Sequence, residues 1–453
     1  MALRKVPTHG GTWLQSWTPE DPTFWQTQGK ALAWRTLWIT TYSLVLSFIV
    51  WFMVSAIVVK LPGVGFKFST TQLFWLTAMP GLAGGTLRII WTFLPPILGT
   101  RHLVTFSTAL LLIPVLGWSY AIETPSTPYW ILLLLALLAG IGGGNFSGFM
   151  PSTSYFFPKK LQGTALGIQA GIGNFGVSVV QFVTPWVVGF ALFASGIVNL
   201  GNPQNFTAKN GLSSPLWLHN AALVWTLFIL VGVVLAWVFL KSVPVRANFR
   251  EQFDIFRDKH TWIMTSLYIA TFGSFSGLSA VFALLIKQLY GKFDGAPDPL
   301  AFAFLGPLVG SVVRVASGPL ADKIGGAKLT QVSILGMLLG AVGLSFYVNP
   351  SSLGQFPFFV VFMLVVFFFS GIGNASTFKQ MPMIFEPRKA GGVIGWTAAI
   401  AAYGPFFFSI IIAAIISRVG HPTAFFYGMA IFYALNVGLN WYYYARRGAE
   451  KPC

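Results

Sequence analysis

The chain has 453 residues, of which 55% are hydrophobic and only 9% charged. A hydrated protein surface cannot be built from that balance, so lipid is the solvent for most of the chain. The net charge of +17 does not point to nucleic acid, because the basic residues are spread over alternate connections instead of forming one patch.

Residues 1–35, which end in WTPEDPTFWQTQGKALAWR, are polar and lack an apolar core followed by a small-residue cleavage site. They predict a tail with no cleaved export signal. A helix needs about 20 apolar residues to cross a bilayer. Stretches near residues 36–61, 71–97, 102–122, 128–157, 161–190 and 217–240 meet that length. The longest charged connection follows, residues 241–260 (KSVPVRANFREQFDIFRDKH). Six more stretches lie near 261–290, 299–322, 328–347, 356–386, 390–417 and 422–445. Runs such as ILLLLALLAGIGGG are continuous, whereas a barrel strand alternates. The predicted fold class is therefore an all-α integral membrane protein of twelve transmembrane helices. It has two six-helix bundles, 36–240 and 261–446, joined by the linker 241–260, with tails 1–35 and 447–453.

With the amino terminus in the cytoplasm, that side gathers Arg4, Lys5, Arg101, Lys159, Lys160, Arg246, Lys323, Lys328, Arg388 and Lys389, among others. The opposite side keeps Lys60, Lys67, Lys209, Lys287, Lys292 and Arg418. This positive-inside asymmetry predicts two cytoplasmic termini. Cys453 is the single cysteine, and every acidic residue and histidine falls in a tail, a loop or a helix end. Neither a metal site nor a cofactor is expected, and no cluster suited to catalysis is visible.

The two halves repeat. Arg88 is preceded four residues earlier by Gly84 and followed eleven later by Gly99, and Arg314 has Gly310 and Gly325 at the same offsets. The fifth span carries Gly163, Gly167 and Gly176, and the eleventh repeats the spacing as Gly391, Gly395 and Gly404. A twofold repeat of this kind suits a carrier whose site lies between two moving bundles. After the eighth span, GPLADKIGGAK, with Gly318, Asp322, Gly325 and Gly326, resembles the loop signature of the major facilitator superfamily. Its counterpart, PPILGTRH, is degenerate, with Pro96 where Asp322 stands in the second copy.

Arg88, Arg314 and Lys379 fall inside apolar spans, where each charge costs roughly 2.5–3.5 kcal/mol. No intramembrane carboxylate is present to neutralise them. Backbone carbonyls or a wet cleft could accommodate the arginines, and Lys379 could equally snorkel. The repeat positions of the arginines favour a shared central cavity. A fixed guanidinium fork without an acidic partner calls for an anion, and a flat oxyanion fits its parallel N–H donors best. Phe146, Tyr268 and Phe272 are aromatic candidates to flank it. In GIQAGIGNFG, Gly171 and Gly173 permit close backbone approach, and Asn174 adds a neutral donor.

The tracts WTPEDPTFWQ, VGFKFSTTQLFWLTAMPGLAGGTLR, GGGNFSGF, FFPKKLQGTALGIQAGIGNFGVSVVQ, WIMTSLYIATFGSFSGLSA and FLGPLVGSVVRVASGPLADKIGG resemble the NarK-type nitrate/nitrite porters of the major facilitator superfamily, over nearly the whole chain. The resemblance implies that Arg88 and Arg314 clamp the anion, Phe146 and Phe272 sandwich it, and Tyr268, Asn174 and Gly171 add contacts. It also implies rocking about the glycine signatures of spans 5 and 11, a monomer, and a place in the bacterial inner membrane. Ala398, Ala401, Pro405 and Lys379 depart from the family pattern and bear on the coupling mode. Nitrate/nitrite exchange is the leading expectation, with proton-coupled nitrate symport through Lys379 and a non-transporting anion sensor as alternatives.

Overall fold

The computed structural model describes residues 8–9, 12–192, 201–208, 211–244 and 250–453. Residues 245–249 of the expected linker lie outside these, as do Arg4, Lys5, Lys209 and Arg246 among the orienting charges. Among the described residues, eleven helices are long and apolar enough to cross a membrane: α1 (Pro22–Ile57), α2 (Thr70–Trp91), α3 (Pro95–Ala121), α4 (Tyr129–Ser154), α5 (Lys159–Val187), α6 (Asn220–Phe239), α7 (Lys259–Tyr290), α8 (Leu300–Ile324), α9 (Gly326–Ser345), α10 (Leu353–Ile384) and α11 (Lys389–Val419). A twelfth, α12 (Thr423–Asn440), runs on as the π-helical turn Trp441–Ala445. Buried polar residues lower its hydropathy: Asn440 Nδ2 donates to the Ala327 carbonyl at 2.9 Å and to Gln331 at 2.7 Å.

The first helix begins at Pro22, well before the apolar run near residue 36. Asp21 caps it by accepting from the Thr23 amide at 2.8 Å, and Pro22 occupies the first helical position. Two short hairpins accompany the bundle, β1 (Thr8–His9) with β2 (Trp13–Leu14), and β3 (Gln204–Thr207) with β4 (Ser213–Leu216). The first is tied to the exit of α6, where the Leu14 and Ser242 amides donate to the Ser242 and Thr12 carbonyls, each at 2.9 Å.

Glycine sets how closely the helices pack. A Cβ at Gly176 of α5 would lie 2.3 Å from the Val45 carbonyl oxygen of α1, and one at Gly404 of α11 would lie 2.2 Å from the Gly273 carbonyl oxygen of α7. The twofold repeat also appears in the backbone. Gly99 and Gly325, matched by their spacing from the arginines, both take positive φ, 71° at a kink in the first turns of α3 and 99° between α8 and α9.

The halves meet along α2 with α11 and α5 with α8. A Cβ on Gly81 would sit 2.5 Å from the Phe406 nitrogen, and one on Gly171 2.5 Å from a Val315 methyl. At the end remote from both termini the seam is shut. Lys60 pairs with Asp298 at 2.5 Å, Lys287 donates to the Val59 carbonyl, and Thr70 donates to Gln288 at 3.1 Å. Deeper in, Gln181 Nε2 donates to the Ser279 carbonyl at 2.9 Å and Thr77 donates to Ser409 at 3.1 Å. At the terminus end, a Cβ placed on Gly163, Gly167, Gly318 or Gly391 would meet nothing within 4 Å. The terminus end is thus the more open of the two, and the remote end is closed.

Candidate functional site

The site forms where α2, α4, α7, α8, α10 and α11 converge. Gly142, Gly143 and Gly144 bring α4 against α1 and α2, since a Cβ on Gly142 would fall 2.0 Å from the Ser47 carbonyl oxygen. The following turn carries Asn145, whose Nδ2 donates to Ser47 Oγ at 2.9 Å, and next to it Phe146. In α7 the helix widens into a π turn over Ile269–Gly273, a device often found at functional positions. There Tyr268 and Phe272 stack with their ring centroids 5.4 Å apart and their planes within 8°. All three aromatics are buried.

Arg88 is fully buried. Its Nε donates to the Gly143 carbonyl at 2.9 Å and its Nη1 to the Ala398 carbonyl of α11 at 2.8 Å. Its guanidinium carbon lies 4.6 Å from the Phe146 ring centroid and 5.2 Å from those of Trp51 and Phe272. Arg314 is buried on α8, with its guanidinium carbon 6.0 Å from the Phe272 centroid and 5.5 Å from that of Phe378. Phe272 thus touches both cations. Neutral carbonyls and ring faces offset part of the cost of burying these charges without cancelling them. Arg88 Nη2 and Arg314 Nη1 are buried and have no hydrogen-bond partner. The Tyr268 hydroxyl lies beside Arg314 without a hydrogen bond of ordinary geometry.

The residues singled out from the sequence divide into three groups. Arg88, Arg314, Phe146, Tyr268 and Phe272 come together. Asn174 is buried on α5 with neither amide atom partnered, one turn beyond the Gly171–Val315 contact, while Gly173 faces Leu44. Lys379 stands apart: it pairs with Asp322 of the α8–α9 signature, its side chain 43% exposed and that of Asp322 59%. Of the two readings left open for Lys379, cavity or snorkelling, this pairing favours a cation held toward the open end of the second half.

Sequence reasoning did not single out Phe378, Trp51 or the carbonyls of Gly143 and Ala398. Phe378 could have been found, since it immediately precedes the flagged Lys379 and packs on Tyr268 at 5.3 Å. Trp51, whose indole nitrogen donates to the Pro80 carbonyl at 2.9 Å, carries no signal that separates it from other tryptophans in an apolar span.

Two helical bundles closed at one end, with cationic groups on the seam, define a secondary membrane carrier. The chain matches the Major Facilitator Superfamily over residues 40–354. It is 72% identical to a probable nitrate/nitrite antiporter, NarK2, of Thermus thermophilus, covering 98% of this chain and 99% of the relative. It is 37% identical to the nitrate/nitrite transporter NarU of Escherichia coli strain K12, with 96% of each covered. Among solved structures, a bacterial homolog of the human lysosomal transporter Spinster, in an inward-facing and occupied conformation, superposes with a TM-score of 0.62 at 16% identity, covering 89% of this chain and 95% of that one. The chain belongs to the major facilitator superfamily and, within it, to the NarK-type nitrate/nitrite porters. It is a multi-pass membrane transporter and not an enzyme.

Proposed function

We propose that this protein exchanges nitrate for nitrite across the bacterial inner membrane by alternating access, with the anion held between Arg88 and Arg314. One observation carries the reading: each half contributes a buried guanidinium with an idle terminal nitrogen, Arg88 Nη2 and Arg314 Nη1, and both cations lie against Phe272. A planar oxyanion offers these donors the acceptors they lack, and the rings of Phe146 and Phe272 provide flat apolar walls. The names carried by the relatives, antiporter and transporter of nitrate and nitrite, support this cargo.

Basic residues crowd the end that carries the termini, which supports a cytoplasmic position for that end and an inward-facing reading of this state. Exchange follows from charge. Among the described residues no carboxylate pairs with either arginine, so an empty site keeps two buried cations whose charge carbonyls and ring faces offset only in part. A bound anion relieves that cost, so the loaded carrier rocks and the empty one stalls. Proton coupling through Lys379 would need a titrating group in the anion's path, and Lys379 is instead paired with Asp322.

The test is counterflow in proteoliposomes. Labelled nitrate should enter only when nitrite or nitrate is inside, and uptake should not depend on a pH gradient. Uptake into vesicles free of internal anion and driven by external acid would overturn exchange.

A further inference from the structure

The arginine pair is not the whole of the polar chamber. Asn374 of α10 is fully buried, and neither its Oδ1 nor its Nδ2 has a hydrogen-bond partner. Ser311 of α8 is also fully buried, with its hydroxyl idle. Leaving such groups unpaired costs about 1–3 kcal/mol each, so native interiors keep them only where something else satisfies them.

Their positions follow from helix contacts. A Cβ on Gly371 would lie 2.4 Å from the Gly310 carbonyl oxygen, which fixes α8 and α10 at the same depth there. Both helices run from the closed end toward the open end. Ser311 is one residue past this crossing and Asn374 three past it. Arg314 and Phe378 come later, four and seven residues past. Ser311 lies three residues before Arg314 and Asn374 four before Phe378, so each shares a helix face with a residue of the arginine site. On the facing helix α5, which runs the other way, Asn174 lies three residues beyond the Gly171–Val315 contact, also toward the closed end, with its own amide idle.

We infer that Asn374 and Ser311, facing Asn174, form a second, charge-free station for the same anion, one helical turn to the closed side of the arginine pair. This rests on the anion-carrier reading above. An ion held only by two fixed cations would be slow to leave. Transit across a membrane needs sites weak enough to release as well as to bind, and a neighbouring set of neutral N–H and O–H donors gives the anion an intermediate foothold. Between passages the same groups suit water, which makes about three hydrogen bonds when buried.

The experiment uses the full-length protein, purified for equilibrium nitrate binding and reconstituted for nitrate/nitrite counterflow. The variants are Asn374→Leu, which keeps the branched shape and the number of side-chain heavy atoms and removes the donors, Asn374→Ser, which keeps one donor, and Ser311→Ala. We expect Asn374→Leu to slow counterflow by about tenfold or more, with nitrate affinity within about threefold of the parent and thermal stability unchanged or raised. Ser311→Ala should slow counterflow several-fold, and Asn374→Ser should recover part of the rate lost in the leucine variant. Counterflow at the parental rate in Asn374→Leu overturns the station. So does a loss of rate that tracks a loss of affinity or stability in the leucine and serine variants alike, because the amide would then serve packing or the arginine site. A parent protein that binds neither anion overturns the carrier reading as well, which separates that failure from the first two.

Discussion

The Arg88 side chain, rooted in α2, donates to the backbone carbonyl of Ala398 in α11 at 2.8 Å, so a cation of one half is tethered to the main chain of the other. Because the acceptor is a carbonyl, the contact does not depend on which side chain occupies position 398. The family departure at Ala398 therefore leaves this tether intact. A neutral acceptor also leaves the positive charge available to a ligand, as an aspartate there would not.

Lysine should not replace either guanidinium if both hold the anion. Arg88→Lys keeps a positive charge but loses the fork and the simultaneous bonds to Gly143 and Ala398, and Arg314→Lys loses the group beside Tyr268. Hydrogen bonds to charged partners are worth about 1.5–3 kcal/mol, so nitrate affinity should fall roughly ten- to hundredfold in each. Titration calorimetry on the purified variants measures this, and affinity retained within twofold in both would remove the arginines from the site.

Glycines that match across the repeat should respond differently to substitution. Gly176→Val and Gly404→Val drive a side chain into backbone within 2.3 Å and should abolish folded yield. Gly163→Leu and Gly391→Leu meet open space in the state described here. These two should express and bind nitrate normally yet lose counterflow, because the added bulk obstructs closure of the open end. Size-exclusion yield, calorimetry and flux together distinguish the two classes.

The ion pair that helps to shut the far end is exposed on its acidic side, Asp298 being 44% accessible. A contact of that kind is worth about 0.2–1 kcal/mol. Asp298→Asn should therefore shift the population toward opening at that end by no more than about fivefold, and added salt should move the parent protein the same way. Spin-label distances across α1 and α7 report the shift.

Residues 446–453 fold back over the second half. Glu450 contacts Lys259 at 2.7 Å and His260 at 3.2 Å, and Ala327 donates its amide to the Cys453 carbonyl at 3.1 Å. The bond to Lys259 first, and then that to His260, holds the Glu450 carboxyl below its usual range. A carboxyl depressed on docking stabilises the docked tail fully above the ordinary carboxylate range, and that contribution is lost as pH falls through the depressed value. Burial pushes the Cys453 thiol up to about 11, so it should alkylate slowly near neutrality. Glu450→Gln should speed labelling of this single cysteine at neutral pH and remove any further release of the tail on mild acidification.

Much of the architecture can be read from the sequence because membrane solvation imposes long apolar runs and a charge asymmetry, both one-dimensional signals. The early start of α1 is not visible to hydropathy; it is written in Asp21-Pro22, a capping signal inside a polar stretch. The arginines stand out because a charge in an apolar span is anomalous wherever its neighbours lie. Lys379 carries the same anomaly and resolves differently, since its partner Asp322 lies 57 positions away in the chain and only the packing of α8 against α10 brings them together. Phe378 has one sequence signal, its place next to Lys379, whereas Trp51 and the carbonyl acceptors have none, because aromatics are plentiful here and a carbonyl has no sequence identity.

The seal at the far end combines one wet ion pair with a few neutral contacts. A closure of that strength lies within reach of ordinary thermal agitation. Under the exchange proposed above, the machine would need no fuel of its own to turn over, and the concentrations of the two cargoes on either side would set the direction of net traffic.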